Sequence, residues 1–528
     1  MAGGRMMNDQ KSSASRGSGE QRTPSLALRR VLSRINRTNF ICAWAGVLLF
    51  FLFYFLPEFR GVFDPKNPDI LVPLTRDGQL AIGLFLLAAT WWIFEVVPLG
   101  VTGMAVAVVQ IVFSIKRRDL PLENAFTDFF DPSVWFIFGS LVIGMVFTKT
   151  GLTRRMAYKM IGLVGERTSM IYLGSFLMIL LLTLLMAYTA VAATIFPLLM
   201  AIYALYEESE EPSNFGKGLF MGMAYACGAG SIITLLGSSR AAMMVGFFKQ
   251  MTRSLEFPTG REITFFGLMY YMLPLGLVMV FVLWGLIMVL FKPEKAAIPG
   301  LRERSKQLYA RLGPITPPEI ASLAIVLLAI LVLGLRSLSP ALQAVDKSAV
   351  ILSAVLLFFF LRILAIEDLE KLPWNIVLLF GGAMSLGFCL WETGAARWIA
   401  LKWLWLFQES HWFLFVLTIA FFVLVMTNFI MNVAAIAISL PVALVLAPYM
   451  NVSGEVILFS SLVTAGMPFM LLIGSAPNAI AYESKMFTPG EFFRAGLAAS
   501  VLLMLVLAVF VWAVWPMMGM PTFLGAGG

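Results

Sequence analysis

Charged residues are scarce in this chain of 528 residues, where lysine, arginine, aspartate and glutamate together make up 13% of the sequence. A soluble globular protein carries about 25% charged residues, whereas hydrophobic residues here reach 60%. Apolar runs recur along the chain, and several reach the length of about 18 residues that a helix needs to cross a bilayer. The lack of charge therefore excludes an ordinary soluble domain and predicts a polytopic integral membrane protein.

Histidine and cysteine are also nearly absent. The chain has one histidine, His411, and three widely separated cysteines in apolar segments, Cys42, Cys227 and Cys389. This pattern excludes a disulfide framework, a metal site built on these residues and a relay of several histidines. An intramembrane enzyme would need a catalytic constellation that one histidine hardly allows, and no Walker loop supports ATP-driven transport. We expect no enzymatic activity and no cofactor, with a sodium ion as a possible co-substrate.

The net charge of +8 is typical of cytoplasmic loops that obey the positive-inside rule and does not indicate a nucleic-acid partner. Two basic stretches, 149–167 and 291–311, fit a cytoplasmic location if the N-terminus is also inside, whereas the basic run at 116–118 does not fit. The polar residues 1–39 are rich in serine, glycine and arginine, which predicts a disordered basic cytoplasmic tail. We expect residence in the plasma membrane, which for a bacterium is the inner membrane.

Two apolar stretches contain residues that a plain membrane helix avoids. The first, Gly228 to Phe247 (GAGSIITLLGSSRAAMMVGF), carries glycines, serines and Arg240. The second, Gly466 to Ser484 (GMPFMLLIGSAPNAIAYES), lies in the other half of the chain. Irregular backbone inside a membrane is tolerated only where protein or water covers it, and paired interrupted helices mark the binding site of many transporters. The sequence therefore predicts two broken helices around a polar cavity.

Two longer apolar regions, 169–206 and 411–447, each exceed 35 residues and carry a polar interruption and a proline near the middle. One helix of that length would overrun the bilayer, at about 1.5 Å per residue against about 30 Å of hydrocarbon. Each region is better explained as a re-entrant hairpin whose tip lies at mid-depth. The interruptions run from Thr183 to Pro197 and from Thr427 to Pro441.

Short motifs of the first half recur in the second half in the same order. Thr150-Gly151-x-x-Arg154 returns 243 residues later as Thr393-Gly394-x-x-Arg397. Each half has an odd number of spans if a hairpin counts as none, so the second half should be inverted relative to the first. The other matches are Phe138-Gly139 with Phe380-Gly381, Thr183 with Thr427, Pro197 with Pro441, and Gly237-Ser238 with Gly474-Ser475.

With these motifs, residues 78 to 519 resemble the divalent anion/sodium symporter family of dicarboxylate, citrate and sulfate carriers. The most specific motif is Ser475-Ala476-Pro477-Asn478, which is close to the family's Thr-Pro-Pro-Asn loop. The resemblance implies an inverted-repeat homodimer whose transport domain moves as an elevator against a scaffold. It also implies a Ser-Asn-Thr motif at each hairpin tip for substrate carboxylates, and a sodium ion between each tip and a neighbouring helix break. Further matches are Trp91-Trp92-Ile93-Phe94-Glu95-Val96-Val97-Pro98 and Phe380-Gly381-Gly382.

The chain departs from the family pattern mainly in its first half. The two tip motifs become Ala187-Tyr188-Thr189 and Met431-Asn432-Val433, and the first loop becomes Ser238-Ser239-Arg240-Ala241. By resemblance, the expected substrate-binding residues are Tyr188, Thr189, Ser238, Ser239, Arg240, Asn432, Val433, Ser475, Pro477 and Asn478. The expected sodium ligands are Thr427, Asn432, Gly474 and Asn478 at the second site, with Thr183 and Gly237 at a weaker first site.

The arginine in the first loop has a physical interpretation. A divalent anion in a cavity of low dielectric needs a nearby positive charge, and a guanidinium is permanently charged and grips carboxylate or sulfate oxygens in pairs. An arginine at mid-membrane costs about 2.5–3.5 kcal/mol on insertion scales and should have a partner. Arg240 is therefore interpreted as a fixed cation in place of the first sodium ion. The alternative is internal pairing with an acidic residue such as Glu95 or Glu392.

The fold expected from these observations is an all-α polytopic protein with about 11 transmembrane helices, two re-entrant hairpins and two broken helices. Its function is expected to be secondary active transport of small divalent anions, with C4-dicarboxylates as the first candidate and reduced sodium coupling. A sodium-independent exchanger or facilitator of sulfate, sulfonate or another organic anion is the alternative, and a channel or receptor built on a carrier scaffold is a third class. The expected segments are the tail 1–39, scaffold helices 40–165, a transport segment 166–292, a cytoplasmic linker 293–317, a second scaffold segment 318–408, a second transport segment 409–519 and a tail 520–528.

Overall fold

The computed structural model describes residues 37–64, 67–115, 121–206, 212–254, 262–338, 345–404 and 411–523. Nearly all of the predicted N-terminal tail, the basic run at 116–118 and most of the C-terminal tail lie outside these ranges. Within them, eight helices are long and apolar enough to cross a membrane, and five shorter apolar helices accompany them. An all-α polytopic architecture is confirmed, whereas the predicted count of about 11 crossings stays a prediction.

The first half of the chain forms eleven of the described helices and one small antiparallel pair of strands. A threonine or serine side chain caps several helix starts; the hydroxyl of Ser213, for example, accepts a hydrogen bond from the backbone N–H of Gly216 at 3.1 Å. The elements are α1 (Arg37–Phe55), β1 (Val62–Asp64), β2 (Asn67–Val72), α2 (Arg76–Ile93), α3 (Leu99–Val112), α4 (Pro121–Phe129), α5 (Pro132–Thr150), α6 (Leu152–Val164), α7 (Thr168–Thr183), α8 (Tyr188–Tyr206), α9 (Asn214–Ser231), α10 (Ser239–Ser254) and α11 (Phe265–Leu290).

The second half follows a closely similar order, and α22 continues through a π turn into α23. The elements are α12 (Leu301–Arg311), α13 (Pro317–Leu338), α14 (Lys347–Phe360), α15 (Ile366–Glu370), α16 (Trp374–Glu392), α17 (Ala395–Leu404), α18 (Trp412–Phe429), α19 (Asn432–Leu446), a 3₁₀ turn (Ala447–Met450), α20 (Gly454–Gly466), a 3₁₀ turn (Leu472–Gly474), α21 (Ala476–Tyr482), α22 (Pro489–Val509), the π turn (Phe510–Val514) and α23 (Trp515–Met517).

The same succession of helices occurs twice. Helices α5 and α16 begin 242 residues apart, α6 and α17 begin 243 apart, and both α7 with α18 and α8 with α19 begin 244 apart. The glycines that separate the first two members of each set, Gly151 and Gly394, both adopt a left-handed conformation, with φ of 84° and 75°. Glycine adopts this conformation without the steric cost that a side chain would bring.

Each long apolar region divides into two helices that contact one another. The first is interrupted between α7 and α8, at residues 184–187, and the second between α18 and α19, at Ile430 and Met431. The prolines lie inside α8 and α19, at Pro197 and Pro441, and not at the interruptions. A helix–turn–helix pair therefore occupies each region where the sequence predicted a hairpin.

The segment 293–317, predicted as a cytoplasmic linker, contains helix α12. Ser305 on this helix donates a hydrogen bond to the backbone oxygen of Tyr158 on α6 at 2.8 Å. Buried Arg155 on α6 forms an ion pair with buried Glu319 at the start of α13 at 3.0 Å, and its guanidinium also donates to the backbone oxygen of Gly313 at 2.9 Å. These contacts attach the segment that joins the two halves of the chain to helix α6.

Helices α3 and α16 cross at two glycines. A Cβ atom on Gly382 would lie 2.2 Å from the Cα atom of Gly103, so the two backbones approach too closely for any side chain. A hydrogen bond flanks the crossing: the backbone N–H of Gly100 donates to the side-chain amide oxygen of Asn375 at 2.7 Å. This crossing joins the predicted scaffold segments of the two halves.

We expect Gly382→Ala to destabilise the protein, because the added methyl group has no room against the backbone of α3. Overpacking of this kind costs about 1–3 kcal/mol and occasionally more. Thermal unfolding in detergent should show a lowered midpoint. The matched control is Gly285→Ala in α11, where no heavy atom lies within 4 Å of the added Cβ. Equal midpoints for the two variants would contradict the close crossing.

Helix α9 occupies the centre of the protein. It is buried along nearly its whole length and contacts α7, α8, α11 and α21. At its start, Lys217 forms an ion pair with Glu491 at the start of α22 at 2.6 Å. Because α9 leads directly into residues 232–238, this packing places the first helix break deep inside the molecule.

Candidate functional site

The first break lies between the end of α9 at Ser231 and the start of α10 at Ser239. Residues 232–238 are buried, so their polar backbone groups need partners within the protein. The hydroxyl of Thr234 accepts a hydrogen bond from the backbone N–H of Gly237 at 3.0 Å and donates to the backbone oxygen of Leu184 at 3.3 Å. The backbone N–H of Tyr188 donates to the oxygen of Gly237 at 3.1 Å. The first break is therefore bonded directly to the tip between α7 and α8.

The second break lies between the end of α20 at Gly466 and the start of α21 at Ala476. The amide oxygen of Asn428 accepts hydrogen bonds from the backbone N–H groups of Met470 and Leu471, at 2.8 and 3.3 Å. The amide nitrogen of Asn478 donates to the backbone oxygens of Pro468 and Leu471, at 2.8 and 3.0 Å. Two asparagines thus hold the shape of this break, one from α18 and one from α21.

Asn428 was missed by the sequence reasoning. Its neighbour Thr427 was selected because it matches Thr183 in the other half, whereas Asn428 has no polar counterpart at Leu184. The available signal was an amide side chain within an otherwise apolar run. A buried amide must find hydrogen-bond partners, so its presence there already indicated irregular backbone nearby.

The same glycine-to-threonine contact occurs at both breaks. Gly237 lies against the backbone oxygen of Thr183, and a Cβ atom placed on it would approach that oxygen to 2.5 Å. Gly474 lies against the backbone oxygen of Thr427, with a corresponding distance of 3.1 Å. At each break, a glycine and a threonine that were both predicted as sodium ligands are therefore neighbours, and the sodium sites themselves stay predictions.

Arg240 connects the two breaks. Its side chain is only 2% exposed, and its Nη2 atom donates hydrogen bonds to the hydroxyl of Ser231 and, at 3.3 Å, to the backbone oxygen of Gly466. The centre of the guanidinium lies 4.9 Å from the centre of the Tyr188 ring, within the range of a cation–π contact. The cation therefore contacts the last residues of α9 and α20 and the tip of the first hairpin.

Arg240 has no ion-pair partner among the residues that the structure describes. Its expected alternative pairing with Glu95 or Glu392 is therefore wrong; Glu95 is exposed on a turn with φ of 44°. The C-terminal end of a helix carries a partial negative charge from its unpaired carbonyl groups. The ends of α9 and α20 supply this stabilisation where no carboxylate does.

The two hairpin tips approach one another at their first helical residues. The amide nitrogen of Asn432 lies 3.5 Å from the hydroxyl oxygen of Tyr188, at the long limit for a hydrogen bond. Tyr188 is half-buried, and its ring packs on the guanidinium of Arg240. Arg240 therefore contacts Tyr188, and Tyr188 in turn approaches Asn432. These two contacts link the first break to the second hairpin.

A group of neutral oxygens surrounds Thr427. Its hydroxyl donates to the amide oxygen of Asn432 at 2.9 Å and approaches the backbone oxygen of Ala465 at 3.3 Å. Carbonyl oxygens at the ends of broken helices are the usual ligands for sodium in transporters. Hydroxyl, amide and carbonyl oxygens converge here, so the residues fit a sodium ion, with Thr427 and Asn432 as ligands and Gly474 beside them. Asn478, which was also predicted as a sodium ligand, uses its amide nitrogen to bond the backbone of the break. It therefore has a structural role as well.

A cavity with a volume of about 760 Å³ reaches Thr189 on the first hairpin and Ala476 on α21. Among the residues expected to bind substrate, Thr189 therefore lines this cavity. Ser239 is half-buried, and the hydroxyl of buried Ser238 has no hydrogen-bond partner within the described residues. Arg240, Val433, Ser475 and Pro477 are buried and are not among the residues that line this cavity. Their roles as direct substrate ligands stay predictions.

Comparisons with known proteins identify the family of this chain. Residues 68–521 match the family described as the sodium:sulfate symporter transmembrane region. The sodium-dependent dicarboxylate transporter SdcS of Staphylococcus saprophyticus is 25% identical over 492 residues, which is 89% of this chain and 90% of that protein. SdcS of Staphylococcus aureus strain RF122 is 25% identical over 464 residues, covering 84% and 87% of the two chains.

A solved structure shares the fold. Neisseria gonorrhoeae MtrF, described as representing a class of antimetabolite efflux pumps, superimposes with a TM-score of 0.56 over 92% of this chain and 97% of its own. Its sequence identity of 13% supports a likeness of fold alone. The family match covers far more than half of the chain, so the protein belongs to the sodium:sulfate symporter family and is a membrane transporter of anions, not an enzyme.

Proposed function

We propose that the protein is a secondary active carrier of small divalent anions in which Arg240 takes the place of one co-transported sodium ion. The observation that carries this proposal is the buried guanidinium between the two helix breaks, with no ion-pair partner among the described residues. A co-transported sodium ion leaves with the substrate, whereas a guanidinium stays in the protein. The carrier therefore moves fewer sodium ions for each anion, and its uphill driving force is weaker.

The ligands of Arg240 support this substitution. Its Nη2 atom bonds to a serine hydroxyl and a backbone carbonyl oxygen at the ends of α9 and α20. Half-helix ends and unwound carbonyl groups are also the ligands that transporters offer to sodium. A guanidinium placed on such oxygens supplies the same positive charge to a bound anion, and it does so at every sodium concentration. Thr183 and Gly237 keep their contact as part of this first site.

The second site retains its sodium ion in this proposal. The oxygens around Thr427, Asn432 and Gly474 are neutral and close together, and among the described residues no arginine or lysine forms a hydrogen bond with Thr427 or Asn432. Sodium binding there would bring the second hairpin tip and the second break together. That would order Asn432 next to Tyr188 and complete the pocket for the anion.

The anion is proposed to bind between Thr189 on the first tip and residues 475–478 on the second break. Thr189 and Ala476 line the same cavity, so an anion that enters through it meets these residues. C4-dicarboxylates are the first candidate, and the SdcS relatives are named as dicarboxylate transporters. Tyr188, Ser238, Ser239, Arg240, Asn432, Val433, Ser475, Pro477 and Asn478 complete the proposed pocket.

We also propose the inverted repeat, the elevator movement and the homodimer that the family resemblance implies. The recurrence of helices at offsets of 242 to 244 residues supports the repeat. The glycine crossing of α3 with α16 supports a rigid scaffold formed by both halves. The N-terminus is proposed to lie in the cytoplasm of a plasma or bacterial inner membrane, which puts the basic stretches 149–167 and 291–311 on the same side.

Uptake by the purified full-length protein in liposomes tests the function. Labelled succinate and sulfate are supplied with an inward sodium gradient or with choline. We expect saturable uptake of at least one dianion at a rate that rises with no more than the first power of sodium concentration. A rate that rises with the square of sodium or more steeply would overturn the proposed reduction in coupling.

The same experiment separates the alternatives. A rate that is indifferent to sodium but accelerated by internal anion would identify an exchanger, and the absence of such acceleration would identify a facilitator. The permanent charge of Arg240, which needs no sodium, is the observation that favours these alternatives over an ordinary symporter. Saturable counterflow distinguishes any carrier from a channel.

A further inference from the structure

The large cavity is elongated along one face of α8. Its lining residues on that helix recur with helical spacing from Thr189 to Ala201, a rise of about 18 Å at 1.5 Å per residue. Residues of α5 and α6 also line the cavity, and the hydroxyl oxygens of Thr148 on α5 and Thr194 on α8 lie 3.5 Å apart. The residues contributed by α8 are Thr189, Ala190, Ala193, Thr194, Pro197, Leu198 and Ala201.

Three basic side chains line this cavity, and each comes from a different element. Lys149 is in the last turn of α5, Arg154 is in the first turn of α6, and Lys371 follows α15. We call these three residues the basic rim. They share the cavity with one carboxylate, that of Asp368, so the lining carries an excess of two positive charges.

The bonds of Asp368 show how this charge is distributed. One carboxylate oxygen accepts hydrogen bonds from the backbone N–H of Ala365 at 2.8 Å and from Lys149 at 2.5 Å, and the other lies 3.8 Å from Lys371. The N–H of Ala365, followed by the ammonium of Lys149, holds the pKa of Asp368 below its usual range. The carboxylate is therefore ionised at neutral pH, yet it can balance only one of the three cations.

Arg154 has no ion-pair partner among the described residues. It is exposed and lines the cavity near Ala157 and Tyr158. The charge of Arg154 therefore does not serve to balance a carboxylate of the described protein. Its neighbour Arg155, in contrast, is buried in an ion pair with Glu319. A concave surface with apolar walls and an excess of one charge concentrates ions of the opposite charge.

We propose that the basic rim is a second anion-binding site, distinct from the pocket at the hairpin tips, where a small dianion pauses between that pocket and the aqueous phase. The identification of this dianion with the transported one rests on the proposed function. Lys149 and Lys371 exchange part of their contact with Asp368 for the anion, whereas Arg154 is available without rearrangement. The phosphate headgroup of an anionic lipid has the same chemistry and is the competing source of a ligand.

The test uses the full-length protein in nanodiscs of neutral phosphatidylcholine, with sulfate and succinate as probes. Equilibrium binding should show two classes of site for the dianion. The double variant Arg154→Gln, Lys371→Gln should lose the weaker class and keep the tighter one. Both side chains are exposed, and that of Lys371 is 72% exposed, so folding should be unaffected. The matched control is Lys306→Gln in α12, an exposed lysine that does not line the cavity.

Uptake at low ionic strength provides an independent measurement. Steered association is enhanced by about 10-fold or more and weakens with salt. We expect the double variant to lower the initial rate of uptake about 3- to 10-fold at low salt, with a flatter dependence on added salt, while the sodium dependence stays unchanged. Asp368→Asn should act in the opposite direction and tighten the weaker class of site, because it frees Lys149.

Each outcome decides the proposal. One class of site in the wild-type protein, or unchanged binding and salt dependence in the double variant, overturns it without affecting the test of Arg240. If the wild-type protein loses the weaker class of dianion site only when anionic lipid is added to the nanodisc, the basic rim binds lipid headgroups. This result likewise overturns the proposal. Failure of the wild type to bind or transport any dianion instead removes the proposed function itself. Opposite shifts for the double variant and Asp368→Asn support the rim.

Discussion

Replacing Arg240 with glutamine should reduce anion uptake by about 100-fold at ordinary sodium concentrations. The guanidinium donates hydrogen bonds to the hydroxyl of Ser231 and the backbone oxygen of Gly466. Hydrogen bonds to charged groups contribute about 1.5–3 kcal/mol each, and a loss of about 3 kcal/mol in the rate-determining step corresponds to about 100-fold. The variant also removes the positive charge that is proposed to attract the substrate.

The sodium dependence of the residual uptake is the more specific measurement. If the guanidinium occupies a place that sodium takes in related carriers, its removal leaves oxygens that sodium can bind. The residual rate in Arg240→Gln should then rise more steeply with sodium than the wild-type rate. Arg240→Lys keeps the charge but loses the planar geometry, so it should retain the wild-type sodium dependence with an intermediate rate.

Arg336→Gln provides the matched control for this variant. Arg336 is also buried, at 5% exposure, and bonds to Glu262 at 2.9 Å, far in sequence from both breaks. We expect Arg336→Gln to lower stability, because it removes the ion pair of a buried arginine, and to leave the order of the uptake reaction in sodium unchanged. Wild-type uptake together with an unchanged sodium dependence in Arg240→Gln would contradict the role assigned to the guanidinium.

The sequence predicted the parts of this site that depend on residue type. Glycine, serine and arginine inside apolar runs indicated the two helix breaks, and the structure has irregular backbone at residues 232–238 and 467–475. Polar interruptions likewise indicated the two turns within the long apolar regions. These features are local: each conflicts with the requirements of a continuous membrane helix, so a short stretch of sequence is enough to reveal it.

The partners of Arg240 could not be predicted in the same way. One of them is the backbone oxygen of Gly466, which is 226 residues away, and every residue type carries such an oxygen. The sequence could show that the arginine needs a partner, and acidic side chains were the expected choice. Only the packing of α9 against the second half shows that the ends of two helices provide it.

The elongated cavity also could not be predicted from the sequence. Its wall on α8 consists largely of alanine, proline and leucine, which equally suit a packed core. The basic residues around it carried no local signal of this kind: Lys149 and Arg154 belong to the basic stretch 149–167, which was predicted to be cytoplasmic, and Lys371 was not singled out. Their convergence on one cavity depends on how α5, α6 and α15 meet, and no local pattern encodes that arrangement.

Replacing Thr427 with valine should raise the sodium concentration for half-maximal uptake by about 10-fold or more. The substitution keeps the shape of the side chain but removes the hydroxyl that bonds to Asn432 at 2.9 Å and approaches the oxygen of Ala465 at 3.3 Å. A sodium ion at this position loses one oxygen ligand, and the amide of Asn432 loses the group that orients it. A buried amide left without its partner costs about 1–3 kcal/mol, which corresponds to about 5- to 150-fold in an equilibrium constant.

Thr418→Val is the matched control because it removes the same group from the same helix. Thr418 is exposed, and its hydroxyl donates a hydrogen bond to the backbone oxygen of Leu414 one turn earlier, at 2.8 Å. Its sodium requirement should equal that of the wild type. Lithium and choline, tested in place of sodium, would show whether the site selects its cation. If Thr427→Val leaves the sodium requirement unchanged while the protein still transports, the second sodium site does not lie at Thr427. If the wild-type protein transports equally well in choline, the guanidinium is the single fixed cation of a carrier that runs without sodium, because a permanent charge at Arg240 does not require a second cation to attract an anion.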